Sequence, residues 1–143
     1  MIYYIYQNNE KIKEVTDAKT VTITGLAPNT SYTYAVSAWN GIRESAKSNV
    51  VTVTTSAIPV TSITLSISET MEVGNSIKAT VTLTPTDATN QTVTYNSSDA
   101  TIATVAADGT VNALKAGTVT ITANASSGKS ATATIKVYEA LVT

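Results

Sequence analysis

The chain of 143 residues contains no cysteine, no histidine and no phenylalanine. Lack of cysteine excludes a disulfide framework, a thiolate nucleophile, an iron–sulfur cluster and Cys-ligated zinc. Lack of histidine excludes a Ser-His-Asp triad, an imidazole proton shuttle and His-ligated zinc. Charged residues make up 13% of the chain, about half the usual share of a soluble protein. A net charge of −1 and a pI near 5.3 give no basic face to neutralise phosphates, so nucleic acid is not an expected partner. No apolar run approaches the roughly 20 residues of a membrane helix, so membrane insertion is not expected either. The start, MIYYIYQNNEK, lacks the basic segment and apolar core of a signal peptide. Export through a segment further upstream stays compatible with that.

What is present is threonine. It occurs 28 times, and Thr, Val and Ile together account for 55 residues. Branching at Cβ suits a pleated strand better than a helix, so the composition predicts an all-β protein. Period-two alternation recurs along the chain. In the first half, Tyr32, Tyr34, Val36 and Ala38 form one expected inward set, and Val51 and Val53 another. In the second half the expected inward sets are Ile63-Leu65-Ile67, Ile77-Ala79-Val81-Leu83, Val93-Tyr95, Val119-Ile121-Ala123 and Ala133-Ile135-Val137. Turn signals separate the runs, Asp108-Gly109 most clearly, because glycine accepts positive φ without steric cost. Short strands at this spacing read as a sandwich. A boundary is expected near Thr55–Pro59, because Pro59 supplies no N–H to a sheet ladder. The expected domains are residues 1–56 and 60–138, joined by a short linker without glycine.

The second segment carries an ordered series of short motifs. They include Val73-Gly74, Pro85-Thr86-Asp87-Ala88-Thr89-Asn90, Val93-Thr94-Tyr95-Asn96-Ser97-Ser98-Asp99, Ile102-Ala103-Thr104-Val105, Asp108-Gly109-Thr110-Val111 and Ala116-Gly117-Thr118. This series resembles the bacterial immunoglobulin-like domain group 2 family. Tyr95 stands where that family usually has Trp. The resemblance implies that Tyr95 is the large core aromatic, with its hydroxyl at an edge where it finds a partner.

In the first segment, Gly25-Leu26-Ala27-Pro28-Asn29-Thr30-Ser31-Tyr32 resembles the tyrosine-corner segment of a fibronectin type III domain. Tyr34, Val36, Ala38 and Asn40 continue that family's sixth strand, Ser48-Asn49-Val50-Val51 begins its last, and Tyr3-Tyr4-Ile5-Tyr6 resembles its third. The two resemblances together imply tandem immunoglobulin-like β-sandwiches, the first lacking its N-terminal strands. By family topology the first segment then forms one four-stranded sheet, faced by a lone strand at Val21–Thr24, with an apolar face uncovered. Three explanations stay open: a fragment of a longer protein, which is favoured; strands supplied by a neighbouring chain; or partial order.

If Tyr3 and Ile5 face inward with Tyr32, Tyr34, Val36 and Ala38, then Tyr4, Tyr6 and Trp39 face outward. They form an expected exposed aromatic strip, suited to stacking on sugar rings or on a protein partner. The plainer alternative is that they pack on missing strands, a neighbouring subunit or the linker. No metal site is expected, because the ten carboxylates are scattered and calcium wants six to eight clustered oxygens. Glu69 and Glu72 near the junction are too few, and Asp87 and Asp99 read as turn caps. Sequons at Asn29, Asn90, Asn96 and Asn124 are no more than this composition produces by chance. A lysine–asparagine isopeptide bond needs a buried lysine, which sequence cannot show. Lys47-Ser48 is dismissed as a nucleophile pair, because neighbours in a strand point to opposite faces.

No cofactor and no enzymatic activity are expected, since nothing supplies a base, a nucleophile and an oxyanion site together. The resemblances imply two settings. One is an outward-facing decoration of a bacteriophage virion, in tail or capsid, giving weak multivalent attachment to the host surface. The alternative is a spacer or adhesion module of a bacterial surface protein or secreted carbohydrate-active enzyme. The expected partners are a bacterial cell-surface polysaccharide or protein and other subunits of a larger assembly, at an extracellular or virion surface. The expected last strand ends near Val137, close to the end of the sequence, and this inclines the reading toward a terminal virion decoration.

Overall fold

Alternating β-branched residues make strands with one apolar and one polar face, and the computed structural model contains only strands among its described residues, 1–142. It divides into two compact units, Met1–Ala57 and the chain from Ile58 onward.

Unit 1 is a single antiparallel sheet. Its strands are β1 (Ile2–Gln7), β2 (Glu10–Thr16), β3 (Ser31–Trp39) and β4 (Val51–Thr54), in the order β2-β1-β3-β4. Asn8 and Asn9, both at positive φ, close the β1–β2 hairpin. Asparagine tolerates that region, and the two-residue turn matches the strand twist. The residue left unpaired by the register shift in this hairpin is Ile12, since Ile5 pairs Lys13 and Tyr6 pairs Lys11. The Tyr32 hydroxyl accepts the Ala27 N–H at 3.0 Å. Thr55 Oγ1 donates to Ala27 O at 2.6 Å and accepts the Thr30 N–H at 3.0 Å. The tyrosine corner is therefore tied on both sides.

Two expectations for unit 1 need correction. Val21–Thr24 forms no strand ladder with any other segment; Lys13 Nζ reaches Thr22 O at 3.3 Å. The expected inward set is also not the buried one. Val36 is 37% exposed, whereas Ala35 and Ser37 on the opposite face are buried. Ile5 is the one buried residue on the expected inner face. That face looks into an open hollow of about 380 Å³ lined by Tyr3, Ile5, Val15, Val21 and Val36.

Unit 2 has two layers. One is a sheet of β6 (Thr70–Glu72), β13 (Ser130–Tyr138), β12 (Gly117–Ala125) and β9 (Val93–Ser97), with β6 parallel to β13. The other consists of β5 (Ser62–Ser66) with β8 (Thr80–Thr84), and β10 (Ala103–Val105), β11 (Thr110–Ala113) and β7 (Ser76–Lys78). Only Ala79 separates β7 from β8, so these two sheets run on from one another. Between the layers lie Ile121, Ile135, Val111 and Val119, all fully buried, with Met71, Ala103 and Val137. A second cluster gathers Val60, Ile63, Ala88, Ala123 and Ala125 around Tyr95, Val81, Leu83 and Val93. The inward sets read from the alternation are the ones that pack here.

Glycine is required at two places. At Gly109 (φ 85°) a Cβ would sit 3.1 Å from the Tyr95 ring and hydroxyl. At Gly117 a Cβ would come within 2.7 Å of Ile102 Cδ1. Tyr95 thus lies under the Asp108-Gly109 turn. Its hydroxyl lies against Gly109 and makes no hydrogen bond to another described residue. Asp99 does cap its turn, accepting the Thr101 N–H at 2.9 Å and hydroxyl at 2.6 Å. At the Pro85 turn the capping side chain is Gln91 rather than Asp87; its amide donates to Thr86 O at 2.8 Å and Ala88 O at 3.3 Å.

The two units differ sharply in buried apolar area, and stability follows. Ile135→Ala should destabilise unit 2 by about 2–5 kcal/mol, read from denaturant unfolding of the whole chain. In native-state hydrogen exchange, the amides of β12 and β13 should be the slowest. Those of β2 and β4 should exchange at least about a hundredfold faster.

Candidate functional site

The aromatic face of unit 1 follows from register. Ile2 pairs Trp39, Tyr4 pairs Ser37 and Tyr6 pairs Ala35. Directly opposed residues of an antiparallel pair share a face, so Tyr4, Tyr6 and Trp39 lie together on one side of the sheet. Lys11 and Glu14, opposite Tyr6 and Tyr4 on β2, flank them.

The three aromatics are half-buried, not an exposed strip. After β3 the chain turns at Asn40, whose Oδ1 accepts the N–H groups of Ile42 and Arg43 at 2.9 and 3.0 Å. It then returns along the β3 edge. Ser45 N–H donates to Ala38 O at 2.8 Å and Ser48 N–H to Val36 O at 2.7 Å. This return brings two charged side chains over the face. Glu44 Oε1 accepts the Tyr6 hydroxyl at 2.5 Å and also the hydroxyl of buried Ser37. Lys47 Nζ sits 3.9 Å from the Tyr6 ring centroid and donates to Asn9 Oδ1 at 2.7 Å. Lys11 Nζ sits 4.0 Å from the Tyr4 ring centroid. Each tyrosine therefore has a cation on one ring face, an attraction that grows as water is excluded. Trp39 borders an open hollow of about 310 Å³ formed with Met1, Ile2, Asn40 and Gly41.

The shared proton acceptor perturbs both titrating groups. Hydrogen bonds from Ser37, first, and from Tyr6 hold the Glu44 carboxyl below its ordinary value. The bond to Glu44 raises the Tyr6 phenol above its own. Sequence reading missed Glu44, Ser37 and Lys47, which come together only through the 40–48 return; the one local signal is the Asn40-Gly41 turn. Elsewhere every lysine is exposed, so none is placed for a buried isopeptide bond. Among the described residues no three carboxylates gather as metal ligands. In unit 2, the groove beside Tyr95 and Gln91 holds the surface ion pair Lys78–Asp108 at 3.4 Å, and the groove beside Leu65 is lined by Glu69 and Lys136.

The sign of the pH dependence follows. The Glu44 contribution is present above the ordinary carboxylate range and is lost as pH falls through the lowered value. The Tyr6 contribution is present below the ordinary phenol range and is lost as pH rises through the raised value. In an ultraviolet tyrosinate titration, Glu44→Gln should move the raised Tyr6 transition down toward the ordinary phenol value.

The family profile of the bacterial Ig-like domain (group 2) matches residues 59–135. No curated protein matches the chain in sequence. Among solved structures, domains 1–6 of the surface layer protein SbsC are 22% identical with a TM-score of 0.52, covering 98% of this chain and 20% of that one. SbsC domains 4 and 5 are 19% identical with a TM-score of 0.50, covering 94% of this chain and 70% of that one. An intimin mutant from EHEC O157:H7 is 21% identical with a TM-score of 0.41, covering 59% of this chain and 38% of that one. The chain thus spans well under two thirds of the intimin chain and of the six-domain SbsC chain. At these identities the SbsC structures support the two-unit all-β fold and nothing finer. The profile match covers more than half of the sequence, from Pro59 to Ile135, and with it the chain belongs to the bacterial Ig-like domain (group 2) family.

Proposed function

We propose that this chain is a non-enzymatic, outward-facing attachment module that binds a bacterial cell-surface polysaccharide or protein through the aromatic face of unit 1. The observation that carries the reading is the placement of Trp39. It lies on the same face as Tyr4 and Tyr6 and borders an open hollow, whereas Lys11 and Lys47 each occupy one ring face of the tyrosines. An indole beside a hollow offers a flat apolar surface with one polar edge, the combination that suits a sugar ring or a partner side chain. Lys11, Lys47 and Glu44 supply hydrogen-bonding groups around it.

The setting we propose is a bacteriophage virion, in tail or capsid, with a bacterial surface protein or secreted carbohydrate-active enzyme as the alternative. One such contact is weak, and function rests on copy number. Many modules on one particle turn each further contact into an intramolecular event, raising avidity by roughly 10²–10⁴-fold. The surface chemistry supports an extracellular role. Thr80, Thr82, Thr84 and Thr118 are exposed and wet the sandwich without charge.

Whole-cell binding tests the reading. The full chain displayed on beads should bind bacterial cells or cell-wall polysaccharide, and Trp39→Ala should lower bound beads at least about tenfold, with Tyr4→Ala lowering them less. Binding that Trp39→Ala leaves unchanged would sink the assignment. Mass spectrometry of purified virions separates the two settings, because only the first places the chain in the particle.

A further inference from the structure

The two edges of the unit 1 sheet differ in a way that points to a partner. The outer strand β2 carries Glu10, Lys11, Lys13 and Glu14 and an unpaired Ile12. Charges and bulges are what keep a strand edge from pairing with another chain. The opposite edge has no such device. β4 reads Val51-Thr52-Val53-Thr54, pairs only with β3, and is exposed along its whole length. Val50, Val51 and Val53 are 64%, 59% and 48% exposed. From Ser48 to Ala57, and across all of β3, there is no Lys, Arg, Asp or Glu.

We infer that β4 is a self-association edge, which pairs antiparallel with β4 of a second copy about a two-fold axis at Thr52. An isologous contact must be self-complementary, and an uncharged edge meets that condition without like-charge repulsion. The segment Val51-Thr52-Val53 reads the same in both directions. Antiparallel pairing centred on Thr52 therefore sets Val51 of each copy opposite Val53 of the other, and Thr52 opposite Thr52. Val51 and Val53 lie on the face of Tyr34 and Tyr32, so the apolar side of the sheet runs on across the join. Two four-stranded sheets become one of eight strands, and the backbone groups on the outer side of β4 gain partners. A foreign partner of either charge has no complement on this edge. The contact is a handful of residues long, less than a standard interface, so association is weak and concentration-dependent. It rests on the β4 edge alone and stands apart from the ligand reading of Trp39, which lies at the other end of β3.

Sedimentation equilibrium of the full chain tests this. From roughly 1 to 500 μM the mean mass should rise from 14.9 kDa toward twice that value, in the range of interfaces of this size. T52K and T52E should each remain at the single-chain mass, because like charges then face each other across the axis. Their equimolar mixture should recover the double mass at a concentration at least about tenfold lower than either alone. That recovery distinguishes a repelled edge from an unfolded variant. The inference is overturned if the unmodified chain keeps the single-chain mass throughout. It is equally overturned if T52K associates as well as the unmodified chain, or if the mixture associates no better than its components.

Discussion

A β-sheet with one apolar face must lay that face against a second layer, and everything else in this chain depends on whether it does. In unit 2 the requirement is met within the chain. β12 and β13 contribute Val119, Ile121, Ile135 and Val137, the facing layer contributes Val111, Ala103 and Ala113, and these side chains are almost wholly withdrawn from water. At about 25 cal/mol per Å² of apolar surface, such burial is the main favourable term in folding. Unit 1 has the sheet without the second layer. Among its described residues only Ile5, Ala35 and Ser37 are buried, and the face that should be a core borders a hollow instead.

That missing layer explains why burial in unit 1 lies on the unexpected side. Ala35 and Ser37 are withdrawn from water by what the chain folds over the aromatic face. Lys11 and Lys47 set their ammonium groups over the Tyr4 and Tyr6 rings, and the 40–48 return places Glu44 on the Tyr6 and Ser37 hydroxyls. Amphipathic lysine stems cover apolar surface while keeping their charge wet. The outcome is a polar-bonded aromatic face in which Trp39 keeps an open side. The open apolar face and the free β4 edge leave Val36, Val51 and Val53 in water.

Membership of a family of immunoglobulin-like modules accords with the proposed attachment role. The carboxylates with lowered pKa values are held by turn and strand hydrogen bonds: Asp99 by Thr101, Asp108 by Thr110, and Glu44 by Ser37 and Tyr6. Shifted values also arise in structural networks, and at the two aspartates the donors are the neighbours that the turn itself requires. Threonine serves the same end on the outer faces. Its β-branch favours the strand, and its hydroxyl satisfies water without adding charge.

Much of this was legible in the residues. Period two assigned the inward sets of unit 2, Asp108-Gly109 marked its hairpin, Pro28-Asn29 with Tyr32 marked the corner, and the ordered motifs from Val73-Gly74 onward carried the family. Alternation also put Tyr4, Tyr6 and Trp39 on one face, because antiparallel pairing preserves sidedness. Local pattern fixes which residues share a face, but not which face is covered. Coverage is decided by contacts distant in sequence, such as Tyr6 with Glu44 and Asn9 with Lys47. So the sequence by itself determined strands, sidedness and family. Only the tertiary structure decided that Val36 meets water, that Ser37 does not, and that Trp39 rather than the tyrosines borders the open hollow.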